Sequence, residues 1–390
     1  MSRRSLPASL LIACALLLAA CGGSSTPAPT PQGGGAPAAS SGSAESGRSA
    51  PGASSAQAAA SAVAPAAIAA ARQPEIVKVT LGLGTIAAAP SFIALERGYW
   101  REEGIELEDI SVGSGSTATT FPALAANQLE VATGGTTSGL FNAVAQGINV
   151  RIALDQTTAT VGNDANGVLV RKELADSGRL RDPAGLRGLR VAFTGKGHNT
   201  QMLADAMLAQ AGLSVQDVES LEMPYTDMNT AIANNNLDAA VSIEPFVTIA
   251  INAGYGARWK SWADVIPNDQ VASVLFSAGF ADDRTEVARR YAKGWVRAVR
   301  DYEAARTRGV DREEIIAILL RDTALKDRAL YDTMPWVAIN PNGRVSVEAI
   351  TAAQDWFAAN GYVPRKIDLG QVIDHQFADY AVRELGPYQP

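Results

Sequence analysis

Turns built from glycine and small hydroxyl residues recur along this chain, and their chemistry is neutral hydrogen bonding. Ala88-Ala89-Pro90-Ser91, Ser114-Gly115-Ser116-Thr117, Gly134-Gly135-Thr136-Thr137 and Gln156-Thr157-Thr158 lie in the first half. Gly197-His198-Asn199-Thr200-Gln201, Tyr225 and Glu244 follow. Such turns expose backbone N–H groups, which suit acceptor oxygens or a planar polar edge. Tyr225 can lay its ring against an apolar or aromatic ligand face. Glu244 can accept from ligand N–H or O–H groups, or hold an ammonium. A single Ser, Thr or Asn before a helix is most often a plain N-cap. The clustering of such turns is what marks a site. The candidate ligand-binding residues are therefore Pro90, Ser91, Ser114, Ser116, Thr117, Gly135, Thr136, Thr157, His198, Asn199, Thr200, Tyr225 and Glu244.

Catalytic patterns find little support. Gly195-Lys196-Gly197 lacks the Gly-Lys-Ser/Thr arrangement of a phosphate loop, and Gly82-Leu83-Gly84 lacks the third glycine and the acid of a dinucleotide fingerprint. There is no Gly-x-Ser-x-Gly elbow. His198 and His375 are the two histidines and stand far apart, which argues against a His-based metal site. No catalytic residue, metal or cofactor is assigned. A lipid-anchored hydrolase stays as the alternative from a different function class.

The N-terminus reads as a secretory leader. Arg3 and Arg4 precede an apolar run from Leu10, too short for a stable bilayer span, that closes at Leu18-Ala19-Ala20-Cys21. That ending resembles a bacterial lipobox, in which the cysteine thiol takes a diacylglyceryl group and becomes the new N-terminus. Residues 1–20 are thus expected to be a lipoprotein signal, with Cys21 the lipid anchor. Formal charge is −7, and −9 once Arg3 and Arg4 are gone, which argues against nucleic acid or an anionic membrane face as partner. The other cysteine, Cys14, leaves with the signal, so the mature chain has no disulfide and no thiol nucleophile. Residues 21–73 are almost all Gly, Ser, Ala, Pro, Thr and Gln. Such a segment buries too little apolar surface to offset its ordering entropy and reads as a tether with a span of roughly 40 Å.

The site turns must be held by the elements that follow. Ile76 to Leu81 alternates as a strand, and Pro90 opens a helix through Phe92, Leu95 and Tyr99. Ile105–Glu108, Leu129–Thr133 and Asn149–Leu154 read as further strands with helices between them, as do Leu189–Phe193, Val218–Met223 and Leu237–Ile243. That alternation argues for parallel βαβ units. Val168–Val170 and Val271–Phe276 read as two crossover strands. Thr285–Arg306, Asp311–Leu320, Ser346–Asn360 and Leu369–Leu385 read as helices, with Trp295, Trp336, Trp356 and Phe357 in the core. Ala126-Asn127-Gln128-Leu129-Glu130-Val131-Ala132 resembles Asn234-Asn235-Asn236-Leu237-Asp238-Ala239-Ala240, which suggests two related lobes.

Together these segments resemble the solute-binding proteins that import sulfonates, nitrate, bicarbonate, thiamine-pyrimidine precursors and riboflavin. The resemblance is carried by Ala89-Pro90-Ser91-Phe92 through Arg97-Gly98-Tyr99-Trp100 to Gly104-Ile105, by Gly113-Ser114-Gly115-Ser116, by Asp182-Pro183 through Val191, and by Leu237-Asp238 through Glu244-Pro245-Phe246. It covers nearly all of residues 74–390. It implies an α/β, two-lobed periplasmic-binding-protein type II fold with two crossover hinge strands, lobe one from 74–170 with 272–390 and lobe two from 171–271. It implies a monomer that captures a small molecule and hands it to an ABC permease and its ATPase subunit, held on the outer face of the cell membrane by the Cys21 lipid. A eukaryotic pyrimidine synthase of this family needs a cysteine-rich motif that this chain lacks. The lobe-one turns carry no base and lobe two offers only Lys196 and His198, whereas oxyanion binders usually supply Arg or Lys. A vitamin or heterocyclic precursor, such as riboflavin or a pyrimidine, is therefore the favoured ligand. A sulfonate- or nitrate-type anion is the alternative, since helix N-termini alone can hold anions. Replacing Cys21 with Ser should release a soluble protein that still binds its solute; fractionation and a binding titration would show whether anchor and receptor separate in this way.

Overall fold

A computed structural model describes residues 73–81, 85–109, 117–163 and 165–389. These all belong to one unit of the chain. The expected signal, Cys21 and the linker through residue 72 lie outside the described residues.

Among the described residues, ten strands form two five-stranded sheets in a mixed α/β architecture. In the first, β1 (Glu75–Val79), β2 (Ile105–Asp109), β3 (Val131–Gly135), β4 (Val150–Thr158) and β10 (Gln270–Ser277) take the order β2-β1-β3-β10-β4. In the second, β5 (Gly167–Arg171), β6 (Arg190–Phe193), β7 (Glu219–Glu222), β8 (Ala239–Ser242) and β9 (Gly256–Ser261) take the order β7-β6-β8-β5-β9. Each sheet has a parallel trio followed by one strand antiparallel to its neighbours, β10 in the first and β5 in the second.

The two similar sequence segments occupy equivalent places. Asn127 and Asn235 both adopt left-handed φ, +52° and +58°, which asparagine tolerates. Each precedes a leucine, an acid and the central strand of its sheet, β3 or β8. Glu130 accepts the Lys78 amide of the neighbouring β1 at 2.8 Å and pairs with Arg284. Asp238 accepts the Arg190 amide of the neighbouring β6 at 3.0 Å and pairs with Arg190 and Arg171, each at 2.9 Å.

Several elements differ from the expectation. Val168–Val170 lies inside the second sheet, between β8 and β9, and Val271–Phe276 inside the first, between β3 and β4. Both runs are apolar on two faces because they are buried within a sheet, so their pattern could not separate a central strand from a crossover. The chain crosses instead through residues 159–166 and 262–269, which run side by side: the Ala159 amide donates to Asp269 O at 2.9 Å and the Asn268 amide to Ala159 O at 2.7 Å. The lobe boundary therefore falls before β5, not at residue 170. Strand β9 is an addition to the expected strands. Leu369–Gln371 is a separate 3₁₀ turn, and the last helix is Gln376–Leu385.

Lobe one packs helices on both faces of its sheet. The long helix Thr285–Arg308 supplies Tyr291, Trp295, Val299 and Tyr302 to one core. Phe357 and Val363 join Phe141 on the other. Trp295, Trp336 and Phe357 are buried, and Trp356 is partly so. Gly294 lies within the long helix, where alanine would ordinarily stabilise by about 1 kcal/mol. A Cβ there would meet Trp100 Cδ1 at 2.5 Å, and Trp100 is pinned by stacking on Tyr291 at 4.9 Å. Gly294→Ala should thus reverse the usual sign and cost about 1–3 kcal/mol; urea unfolding of the variant gives the answer, and a stabilised protein would show that Trp100 yields.

Candidate functional site

In both sheets the parallel strands end toward one cleft between the lobes, where open α/β sheets place their ligands. The cleft has a volume of about 380 Å³. Lobe one contributes Thr85 and Ala87 from the turn before its first helix, and Thr133, Gly134 and Gly135 from the end of β3. Lobe two contributes Asn166, Asn199, Tyr225, Ile243 and Glu244. Gln156, Thr157, Val271 and Ala272 on β4 and β10, together with Val337, complete the lining.

Five of the candidates line this cleft: Gly135, Thr157, Asn199, Tyr225 and Glu244. Gly135 presents bare backbone, and a Cβ there would sit 3.4 Å from Val271 O. The Thr157 hydroxyl donates to Gln156 O at 2.7 Å. Asn199 begins the helix Asn199–Ala209 and donates its side-chain amide to Val271 O at 2.8 Å, tying lobe two to β10. Tyr225 begins the helix Tyr225–Ala233 and its ring stacks on Phe246 at 5.7 Å and 22°. Burial pushes its hydroxyl pKa well up, with a Thr194 hydrogen bond working against that.

The other candidates lie elsewhere. Pro90 and Ser91 are buried in the first turn of the helix Ala89–Glu96, and it is the preceding turn that faces the cleft. Thr136 turns its hydroxyl to Gln270 O at 2.7 Å. Thr200 Oγ1 is 2.7 Å from Thr194 Oγ1 and accepts the Thr194 amide. His198 holds Thr194 Oγ1 at 3.1 Å, and burial lowers its pKa, opposed by Glu222. Thr117 begins the helix Thr117–Ala125. Ser114 and Ser116 lie outside the described residues. Lys196 pairs with Glu222 at 3.4 Å on the exposed turn.

The environment of Glu244 is the main departure. Its side chain is fully buried yet fully occupied: Oε1 accepts the Thr248 hydroxyl at 2.9 Å, Oε2 accepts the Thr248 amide at 3.0 Å, and Arg258 pairs with Oε1 at 2.5 Å. Asn166 Oδ1 accepts the Glu244 amide at 3.1 Å. Burial pushes the Glu244 carboxyl pKa up, and Arg258 and Thr248 pull against it. The acid that looked free in sequence is neutralised by an arginine on β9. Asn166 and Arg258 were missed because their roles depend on pairings far from Glu244 along the chain. No cluster of metal-ligating side chains occurs among the described residues, and no described helix is long and apolar enough to cross a membrane.

Two α/β lobes joined by paired crossings thus flank one cleft lined by hydroxyl, amide and apolar groups. The chain belongs to the NMT1-like family, whose model matches residues 72–319. It is 27% identical over 206 residues to a "Putative aliphatic sulfonates-binding protein" of Escherichia coli strain K12, a match that spans 51% of this chain and 61% of that relative. The alkanesulfonate-binding protein of Xanthomonas axonopodis pv. citri, solved with MOPS, superposes with a TM-score of 0.61 at 19% identity, over 78% of this chain and 99% of that one. The periplasmic nitrate-binding protein of Synechocystis PCC 6803 gives 0.61 at 15%, over 80% and 89%. A desulfurization enzyme, DSZB, gives 0.57 at 15%, over 80% and 99%, so this fold also carries catalysis.

The pairing of Glu244 with Arg258 makes a specific demand on stability. Arg258→Met leaves a buried, unpaired carboxylate and should cost about 3–5 kcal/mol, most of it recovered when Glu244→Gln is added. In the single variant the folded-state pKa of Glu244 lies above its unfolded value, so the deficit should shrink at mildly acidic pH and grow as pH rises. Urea unfolding at both pH values tests this; a deficit that does not change with pH would mean the pair is not what holds the acid.

Proposed function

We propose that this chain is the solute receptor of an ABC importer and that its cleft holds a small organic oxyanion of the sulfonate type. One observation carries the ligand reading: the Glu244 carboxylate is cancelled by Arg258, so the cleft no longer repels an anion. The preference for a vitamin rested on the missing positive charge, with Glu244 as an added acceptor; the pairing with Arg258 takes away that acceptor only. Thr85, Thr133, Gln156 and Asn166 supply hydroxyl and amide groups to the lining, and the Asn199–Ala209 helix begins at it. The named relatives bind sulfonates and nitrate, which supports the same reading. The chain has no cysteine after residue 21, which supports a binding role over thiol catalysis. Attachment through Cys21 at the outer face of the membrane, with a permease and an ATPase as partners, belongs to the same proposal.

A second reading has its own support. No Lys, Arg or His lines the described cleft, which fits an uncharged heterocycle. Thermal shifts and calorimetric titrations with MOPS, taurine, nitrate and riboflavin separate the two. A ligand at a hundred times its Kd stabilises by about 2.7 kcal/mol. Stabilisation by a sulfonate without turnover is expected. A response to riboflavin alone would establish the second reading, and turnover of a sulfonate would reassign the chain as an enzyme.

A further inference from the structure

At the rim of the cleft, the turn Gly195–His198 of lobe two lies on the start of the lobe-one helix Ser138–Ala145. The Ser138 amide donates to Gly197 O at 2.8 Å. Thr137 and His198 form an isolated antiparallel bridge beside it. The Gly197 amide donates to Gln201 Oε1 at 2.8 Å, and Gln201 Nε2 donates to the Tyr362 hydroxyl at 2.8 Å. Tyr362 is fixed in lobe one: its carbonyl accepts Asn142 Nδ2 at 2.9 Å, and its ring stacks on Trp356 at 5.8 Å and 26°. Gly197 has φ +70°, and a Cβ there would meet Ser138 Oγ at 2.3 Å and the Tyr362 ring at 3.3 Å. Only a glycine allows both this backbone and this approach.

None of Ser138, Gly197, Gln201 and Tyr362 lines the cleft. They join the lobes at a point where no contact with the solute is needed. We propose that Gly197, Gln201 and Tyr362 are positioning residues that form a latch, holding the lobes together over the solute and setting how long it is retained. The proposal rests on the solute-receptor reading. A solute enclosed between the lobes leaves when they part, and parting here breaks the Ser138–Gly197 and Gln201–Tyr362 hydrogen bonds. Each is exchanged for bonds to water, so each changes the closed-to-open ratio only modestly, about two- to tenfold. Contacts of that size let a receptor reopen. They act on the release rate, because they form after the lobes meet.

The test needs no ligand. Spin labels are placed on Ala209→Cys and Ala359→Cys, one exposed residue in each lobe, in the full chain with Cys14 and Cys21 replaced by Ser. Pulsed dipolar spectroscopy should show a short distance in the parent. Tyr362→Phe, which keeps the ring and loses the hydroxyl, should populate a longer one with the thermal midpoint little changed. Gly197→Ala should do the same more strongly. A parent without the short distance would overturn the latch, as would a Tyr362→Phe variant with the parent's distances. A Tyr362→Phe variant that loses thermal stability but keeps the parent's distances would show a merely structural contact and would also overturn it. With MOPS as probe, Tyr362→Phe should release it about two to ten times faster at an unchanged association rate; equal release rates count against the latch. Failure of MOPS to bind the parent counts against the ligand reading alone, since the distances are read without it.

Discussion

The node at Asp155 holds the strands of lobe one to the C-terminal segment that returns across them. Its carboxylate is completely buried within β4, where burial pushes its pKa up to about 6 against the pull of its hydrogen-bond donors. Asn340 N–H reaches one oxygen and Gln270 Nε2 the other, both at 2.6 Å. Gln270 in turn accepts the Ser346 amide at 2.9 Å, and its carbonyl takes the Thr136 hydroxyl. One carboxylate thus connects β4, β10, the C-terminal return segment and the edge of the cleft. A buried charge is tolerable only where it is so fully satisfied, and the same donors fix the strands on which Gln156, Thr157, Val271 and Ala272 are displayed.

The same device, an acid at a strand start answered by a backbone amide and an arginine, appears in each lobe. Glu130 ties β3 to β1, and Asp238 ties β8 to β6. Each also fixes the register of the central strand of its sheet, and with it the position of the cleft-facing residues at the far end: Thr133 to Gly135 in lobe one, Ile243 and Glu244 in lobe two. The likeness between residues 126–132 and 234–240 is therefore physical as well as textual. A polar helix end, a left-handed asparagine and a buried acid are what this junction requires.

The strands and helices that alternate with clear turns were legible in the sequence, because hydrophobic periodicity and Gly or Pro punctuation are local signals. Where the structure departs, the deciding fact is non-local. Val168–Val170 has the composition of a buried strand in either lobe, and only its pairing with β8 and β9 decides which. Of the candidate site residues, those set by backbone position came together, as with Gly135, Asn199 and Tyr225. Those chosen as hydroxyl groups in a turn could point either way, and Thr136 and Thr200 point into their own scaffold. The environment of Glu244 was unreadable for another reason: Arg258 lies on a strand whose sequence, Gly-Ala-Arg-Trp-Lys-Ser, gives little alternation.

That pairing changes the electrostatic logic of the site. An isolated buried carboxylate would make the cleft hostile to anions, and the lack of bases in the lobe-one turns would reinforce it. With Arg258 against Glu244 the local charge sums to zero, and what remains is a set of dipoles: hydroxyls, amides and the start of a helix. Dipoles in a partly desolvated cleft can hold an oxyanion without a formal countercharge. They do so only while water is kept out, which requires the lobes to stay together. On the two proposals made above, affinity would depend on two separable features, a neutralised floor in lobe two and contacts at the rim that keep the lobes apposed. Neither is a residue that a search for catalytic motifs would single out.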